Sequence, residues 1–233
     1  MTPAEPAVVC HGVERTYGID GSTVPALRGV SLSLPAGSIT ALVGPSGSGK
    51  STLLRLLACV DRPDAGQITI GGTEVARLSR AGRVRMRRTR LGFLYQSPAD
   101  NLLEYLTVRE HLALGAALRG LDKHDPQQTA LLDRLGLADR ADHHPRQLSG
   151  GEQQRTAIAF AAIGPPALLV ADEPTGQLDH HTADEVVAAL RVMATTGVAV
   201  VAATHDPAVA RQADRVVQLR DGQVVEDKEG AWH

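Results

Sequence analysis

Continuous apolar runs set off by turn residues dominate the last third of the 233-residue chain. Residues 167–171 and 198–203 carry no polar side chain, the pattern of strands covered on both faces. The stretch 38–43 (Ser-Ile-Thr-Ala-Leu-Val) reads the same way. Residues 8–17 alternate in part and predict a strand. A second is predicted around 30–34, after a turn at 19–22, and Pro35-Ala36-Gly37 turns the chain again. Pro63 to Gly66 form a turn before a strand at 67–70, and Gly71-Gly72 predicts a hairpin. Residues 91–95 form a strand that ends at Gln96. Asp221-Gly222 lies between apolar segments 216–219 and 223–225, a hairpin signal. Helical spacing appears at 52–58, 107–118, 127–135, from 148 through 163, and 182–194, with Gly136 and Pro165-Pro166 as stops. The order is a β-rich first third around one helix, a mostly helical middle, then strands alternating with helices. There is no internal repeat.

Composition narrows the class. Hydrophobic residues make up 43% and charged residues 21%, as in soluble globular domains. The net charge of −2 gives no global case for nucleic acid or an anionic membrane. Seven arginines fall within residues 77–90 with no aromatics between them. They predict a solvated helix face or one facing an acidic partner. Cys10 and Cys59 fit two reduced thiols in a cytosolic protein. The first six residues lack the basic and apolar regions of a signal peptide, and no apolar run is long enough to span a bilayer. A membrane role would therefore go through a partner, without direct insertion. His143-His144 and His180-His181 lack a third ligand at useful spacing and are expected to be exposed loop residues. Trp232 reads as a tail residue.

The strongest chemistry lies between the strand at 38–43 and the helix after it. Gly44, Pro45, Ser46, Gly47, Ser48, Gly49, Lys50, Ser51 and Thr52 match G-x-x-x-x-G-K-[ST], a phosphate-binding P-loop in the strand–loop–helix context it requires. Glycines let successive N–H groups converge on phosphate oxygens, and the helix start adds a favourable dipole. Lys50 is suited to neutralising β- and γ-phosphates, and the Ser51 hydroxyl to ligating Mg²⁺. Asp172-Glu173 closes an apolar strand, where such a site takes its acidic groups. Asp172 is expected to hold Mg²⁺ through water, and Glu173 to polarise the water that attacks the γ-phosphate. Leu148-Ser149-Gly150-Gly151-Glu152 puts two glycines at a second helix start. This reads either as a Ser149 N-cap or as a second anion cradle, one that would serve the ATP of a neighbouring subunit.

On these motifs the chain resembles the nucleotide-binding subunit of ABC transporters over roughly residues 8–225. Carrying the resemblance are the P-loop, Gln96, the signature at 148–152, Asp172-Glu173, Leu178-Asp179 and His205 after the last long strand. Within the family it is most similar to lipoprotein-release ATPases, macrolide exporters and the FtsE-type division ATPase. This likeness rests on Asn101-Leu102-Leu103, on 148–155, on 171–179, and on the absence of an appended regulatory segment. The resemblance implies an α/β fold: a P-loop NTPase core of mostly parallel sheet with helices on both faces, an N-terminal antiparallel β subdomain, and a helical subdomain at approximately 97–163 within a single domain. It implies ATP and Mg²⁺ as cofactors. It assigns Tyr17 to adenine, Gln96 to Mg²⁺ and to coupling with the membrane subunit, and His205 to the γ-phosphate and attacking water. Ser149, Gly150 and Gly151 would meet the γ-phosphate across a head-to-tail homodimer, with Glu152 of the same signature counted among the nucleotide-binding residues and Asp179 at the interface. The implied partner is an integral-membrane permease, which would hold the subunit at the cytoplasmic face, with ATP-driven closure performing export or extrusion. The FtsE-like alternative is a signalling ATPase that gates a cell-wall hydrolase without transport. A third class is a soluble ABC protein of DNA repair, translation or cofactor assembly; the translation type is disfavoured because this chain has one cassette, and the repair type because it has no coiled-coil insertion. A P-loop kinase or GTPase is disfavoured by the signature and by the lack of N-K-x-D. Glu152, Gln177 and Phe160 stand where the family or subgroup commonly has Gln, Asn and Arg, departures that bear on interface detail more than on catalysis.

Overall fold

The computed structural model describes residues 6–19, 22–123 and 126–230. The first five residues, Asp20-Gly21 of the predicted turn and Trp232 lie outside the described residues. Two sheets organise the chain. The first is antiparallel, with strands β1 (Pro6–Ile19), β2 (Ser22–Pro35), β4 (Ala65–Ile70) and β5 (Thr73–Glu74) in the order β2-β1-β4-β5. The second contains β3 (Ile39–Val43), β6 (Leu91–Leu94), β7 (Leu168–Asp172), β8 (Ala199–Ala203), β9 (Arg215–Arg220) and β10 (Gln223–Glu229), in the order β10-β9-β3-β8-β7-β6. All its neighbours are parallel except the β9–β10 hairpin.

The helices are α1 (Lys50–Leu57), α2 (Arg80–Arg90), α3 (Val108–Arg119), α4 (Pro126–Arg134), α5 (Gly150–Ala162), α6 (His180–Ala194) and α7 (Pro207–Gln212). The described residues of 97–163 hold α3, α4, α5 and three short 3-10 turns, with no strand among them. Side chains of the parallel strands feed two separate cores, one per face. Ile39, Ala41, Leu169, Ala171, Val200 and Ala202 join the core packed by α3 to α6. Leu42, Leu168, Val170, Ala199 and Val201 join the other, with α1 and the antiparallel sheet. Burial on both faces accounts for the unbroken apolar runs.

Most predicted elements appear within a few residues of the expected bounds. The helix after the P-loop starts earlier than its apolar spacing, at Lys50, because the loop itself feeds the first turn. The expectation that His180-His181 lie in a loop is corrected: they open α6, where both are exposed and Asp179 caps the helix. The six-residue helix α7 is unforeseen, being too short for a helical period. Pro207 at its first turn and the Asp206 carboxylate, which accepts from the Ala208 amide at 2.8 Å, start it instead. The arginine-rich stretch forms α2, whose one buried side chain is Met86. Asp221 and Gly222 both adopt positive φ (49° and 78°), as the predicted two-residue hairpin demands.

Leu190 on α6 is fully buried in the core shared with α3 to α5. Leu190→Ala is expected to destabilise the protein by about 2–5 kcal/mol through lost transfer energy and a cavity. Chemical denaturation measures this as a lower midpoint at unchanged slope.

Candidate functional site

Strand register assembles the site. Leu42 pairs with Ala203, Asp172 with Ala203, and Leu94 with Ala171. The segments leaving β3, β6, β7 and β8 therefore emerge at one sheet edge. They carry the P-loop, Gln96, Glu173 and His205 respectively. A cleft of about 480 Å³ at that edge is lined by Gly44, by residues 46–52, and by Gln96, Asp172, Glu173 and His205. Ala26 of β2 also lines it, a residue no sequence motif marks.

The P-loop conformation needs its glycines. Gly44 sits at φ 148°, and a Cβ there would lie 2.1 Å from the Leu219 carbonyl oxygen. Gly49 sits at φ 104°, with the Ala26 carbonyl 2.6 Å from where a Cβ would stand. Neither space nor backbone admits a side chain. The β9–β10 turn closes the loop from behind: the Gly222 amide donates to the Ser48 carbonyl (3.0 Å), and the Arg28 amide donates to the Gly222 carbonyl (2.8 Å). Sequence patterning finds this hairpin but not its place against the P-loop, since a long-range contact leaves no local signal. Lys50 Nζ folds back to the Gly44 and Pro45 carbonyls at 2.7 and 3.0 Å. The buried Ser48 hydroxyl, in the cleft lining, has no hydrogen-bond partner. An orphaned polar group there fits an oxygen-rich ligand.

The acidic pair sits opposite. Burial pushes the Asp172 carboxyl above its ordinary value of 3.8, and the adjacent Glu173 charge adds to this. A hydrogen bond from the Ser51 hydroxyl and the Lys50 charge pull the other way. Glu173 adopts the left-handed conformation (φ 49°), costly for a residue with a side chain. Its amide donates to the Ala203 carbonyl at 2.9 Å. Its carboxylate accepts from the His205 amide at 3.2 Å and lies 2.9 Å from His205 Nδ1. The adjacent turn is fastened by Thr175 Oγ1, which donates to Asp206 at 2.9 Å.

The remaining predicted residues do not line this cleft. Ser149 caps α5 in a reciprocal box: its hydroxyl accepts from the Glu152 amide (3.2 Å), and the Glu152 carboxylate accepts from the Ser149 amide (2.8 Å). Arg140 also holds Glu152, at 2.8 Å. Gly150 and Gly151 form the first turn, and a Cβ on Gly151 would stand 2.3 Å from the Thr182 methyl of α6. Asp179 caps α6 through the Thr182 amide and hydroxyl. Tyr17 on β1 donates to Asp61 at 3.3 Å, and the Arg15 guanidinium lies over its ring, 4.8 Å from the centroid.

A family model described as ABC transporter matches residues 27–176. The chain belongs to the ABC transporter family. It is 46% identical over 224 residues to the lipoprotein-releasing system ATP-binding protein LolD 2 of Rhodopseudomonas palustris, covering 95% of this chain and 96% of that one. It is 41% identical over 222 residues to the macrolide export ATP-binding/permease protein MacB of Shigella flexneri. That match takes in 94% of this chain but spans about a third (34%) of MacB's length. Among solved structures, the dimeric post-hydrolysis state of the ATP-binding cassette MJ0796, bound to ADP and Pi, superposes with TM-score 0.82 at 33% identity, covering 97% of this chain and all of that one. The cbiO1 protein of Clostridium perfringens, part of the cbiONQ ABC transporter complex, gives TM-score 0.83 at 26% identity, covering 96% and 88% of the two chains. The fold is the ATP-binding cassette fold of this family.

Three residues of the cleft lining, Ser51, Gln96 and Asp172, carry oxygen donors. The Ser51 hydroxyl, Gln96 amide and Asp172 carboxylate form an all-oxygen set of the hard type that suits Mg²⁺. No group of three or more His, Cys, Asp or Glu side chains that could hold a metal exists among the described residues. Mg²⁺ bound by one or two carboxylates together with nucleotide phosphates needs none. The two adjacent carboxylates, both half-buried, make a place where a cation is favourable.

A carboxyl whose pKa is raised by folding carries more protons folded than unfolded between its ordinary value and the raised one. Stability therefore falls as pH rises through that window, and ionised Asp172 is a net liability above it. Asp172→Asn is expected to raise the melting temperature of the nucleotide-free protein near neutral pH, with the gain shrinking as pH falls toward 3.8. The same variant should lose the stabilisation that Mg²⁺ adds when ATP is present. Thermal melts across pH, with and without Mg-ATP, check both.

Proposed function

We propose that this chain is the ATP-binding and ATP-hydrolysing subunit of an ABC transporter, working as a head-to-tail pair around two ATP molecules. The observation that carries the reading is a division of labour. One cleft collects the P-loop, Asp172, Glu173 and His205, while the second helix-start cradle at Ser149 and Gly150 is exposed and lies outside it. A cradle away from its own subunit's cleft suits the cleft of another copy.

In this reading residues 44–52 wrap the phosphates with backbone amides. Lys50 leaves its carbonyl partners for the β- and γ-phosphates, and the free Ser48 hydroxyl takes a phosphate oxygen. Tyr17 meets adenine with the ring face that Arg15 leaves open. Ser51, Gln96 and Asp172 would hold Mg²⁺, which would supply positive charge against the charge that builds up on the phosphates. Glu173 orients the water and accepts its proton. The water oxygen bonds to the γ-phosphorus, the bond to the β-phosphate oxygen breaks, and ADP leaves with phosphate. His205 holds the Glu173 carboxylate and faces the γ-phosphate. Ser149, Gly150 and Gly151 of the second copy close over that phosphate, and Asp179 lies at the junction. Glu152 acts by fixing the Ser149 cap rather than by touching ATP.

Closure of the pair would move a membrane permease through the Gln96 segment, in export or extrusion of a lipoprotein, peptide or drug. The kinship with the lipoprotein-releasing and macrolide-export proteins supports that direction. No helix among the described residues is long and apolar enough to cross a membrane. The permease would thus supply the membrane-spanning part and hold this subunit at the cytoplasmic face.

Glu173→Gln is expected to lower ATP turnover by about 10²-fold or more while leaving ATP binding intact. With Mg-ATP the variant should elute as a dimer on gel filtration and as a monomer without nucleotide. A variant that binds ATP yet stays monomeric, alone and with its permease, would contradict the paired arrangement.

A further inference from the structure

The α5 helix that starts with the Ser149 cradle also touches the turn carrying Glu173, through Gln154. This side chain is fully buried. Its Nε2 donates to the Pro174 carbonyl at 3.0 Å. Its Oε1 is buried without any hydrogen-bond partner. A carbonyl can only accept, so the amide must present its nitrogen to Pro174 and leave its oxygen orphaned. An orphaned buried acceptor works against stability. An apolar side chain of the same size would pack there without that cost. Gln154 thus weakens the fold at one atom while the other holds the residue next to Glu173.

The turn has reason to need holding. Glu173 is in the left-handed conformation. The Gly176 amide donates back to the Glu173 carbonyl at 3.1 Å, and Thr175 is tied to Asp206 on the β8 side. Gln154 is the tie on the α5 side, one helical turn from Gly150.

We propose that Gln154 is a positioning residue that links the Ser149–Gly151 cradle to Glu173 of the same subunit. The inference rests on the paired reading above. In a head-to-tail pair that cradle closes on the partner's ATP, so Gln154 carries the state of one ATP site to the general base of the other. Without its Nε2 bond, Glu173 sits in a looser turn and the two sites lose part of their coupling.

The test uses the intact protein with Gln154→Met and Gln154→Glu. Gln154→Met removes the bond at similar volume. Its melting temperature should equal or exceed the unmodified protein's. Its KM for ATP should stay within about twofold while kcat falls about tenfold or more, with a Hill coefficient nearer one. Hydrogen exchange at the Glu173 and Gly176 amides in the ATP-free protein should be about tenfold faster. In Gln154→Glu the buried carboxyl donates to Pro174 only when protonated. Its kcat relative to the unmodified protein should therefore climb as pH falls. Unchanged kcat and exchange in Gln154→Met, or a loss of activity matched by a drop in melting temperature with a flat relative pH profile in Gln154→Glu, would overturn the proposal. Should the unmodified protein show no ATPase activity, the function proposed above fails, and the exchange measurement still decides whether Gln154 holds the turn.

Discussion

Parallel pairing of β3 with β8, and of β8 with β7, places Val43, Asp172 and Ala203 at one edge of the sheet. Each of these strands hands its chain to a segment with chemistry: glycines and Lys50, Glu173, and His205. The side-chain period of a strand is two residues, so a slip of one residue in any pairing would exchange that strand's side chains between two differently packed cores. The burial that fixes the register therefore fixes the site as well. Leu168 and Val170 pack against α1 and the antiparallel sheet, while Leu169 and Ala171 face α5 and α6. Neither set can move without displacing Asp172 from Ser51.

Local strain collects where these segments meet. Gly44 and Gly49 occupy conformations with no room for a side chain, and Glu173 is held in one that side chains avoid. The surrounding hydrogen bonds over-determine each of them: Gly222 behind the P-loop, Ala203 and His205 around Glu173, Gln154 and Asp206 around the turn that follows. Such strain at a candidate catalytic centre suits preorganisation, since groups already in place need little rearrangement when charge develops on a phosphate.

Much of this was legible in the sequence because the motifs are contiguous. The P-loop residues, Asp172-Glu173 and the 148–152 phrase each announce themselves through adjacent residues, and the apolar runs reveal a sheet covered on both sides. Features built from distant segments left less trace. Ala26 reaches the cleft from β2, and Gly222 backs the P-loop from the last hairpin, through pairings that no local pattern encodes. The helix α7 is too short for a period, and only Asp206-Pro207 hints at it. His180 and His181 read as loop because histidine is a poor marker of a helix start, whereas Asp179 before them was a capping signal read for another role. Gln154 falls in a polar run and carries no sign of full burial until α5 is set against the 172–176 turn.

The central claim is that one ATP site is completed by residues from two copies. Mixing two inactive variants tests it most directly. Lys50→Ala disables the P-loop of its own cleft, and Ser149→Arg blocks the cradle offered to the partner. In a mixed pair, one site joins an intact P-loop to an intact cradle. The account predicts that each variant alone hydrolyses almost no ATP and that the mixture recovers activity neither shows by itself. A Ser149→Arg variant that is fully active alone, or a mixture of exchanging subunits that stays inactive, would contradict it.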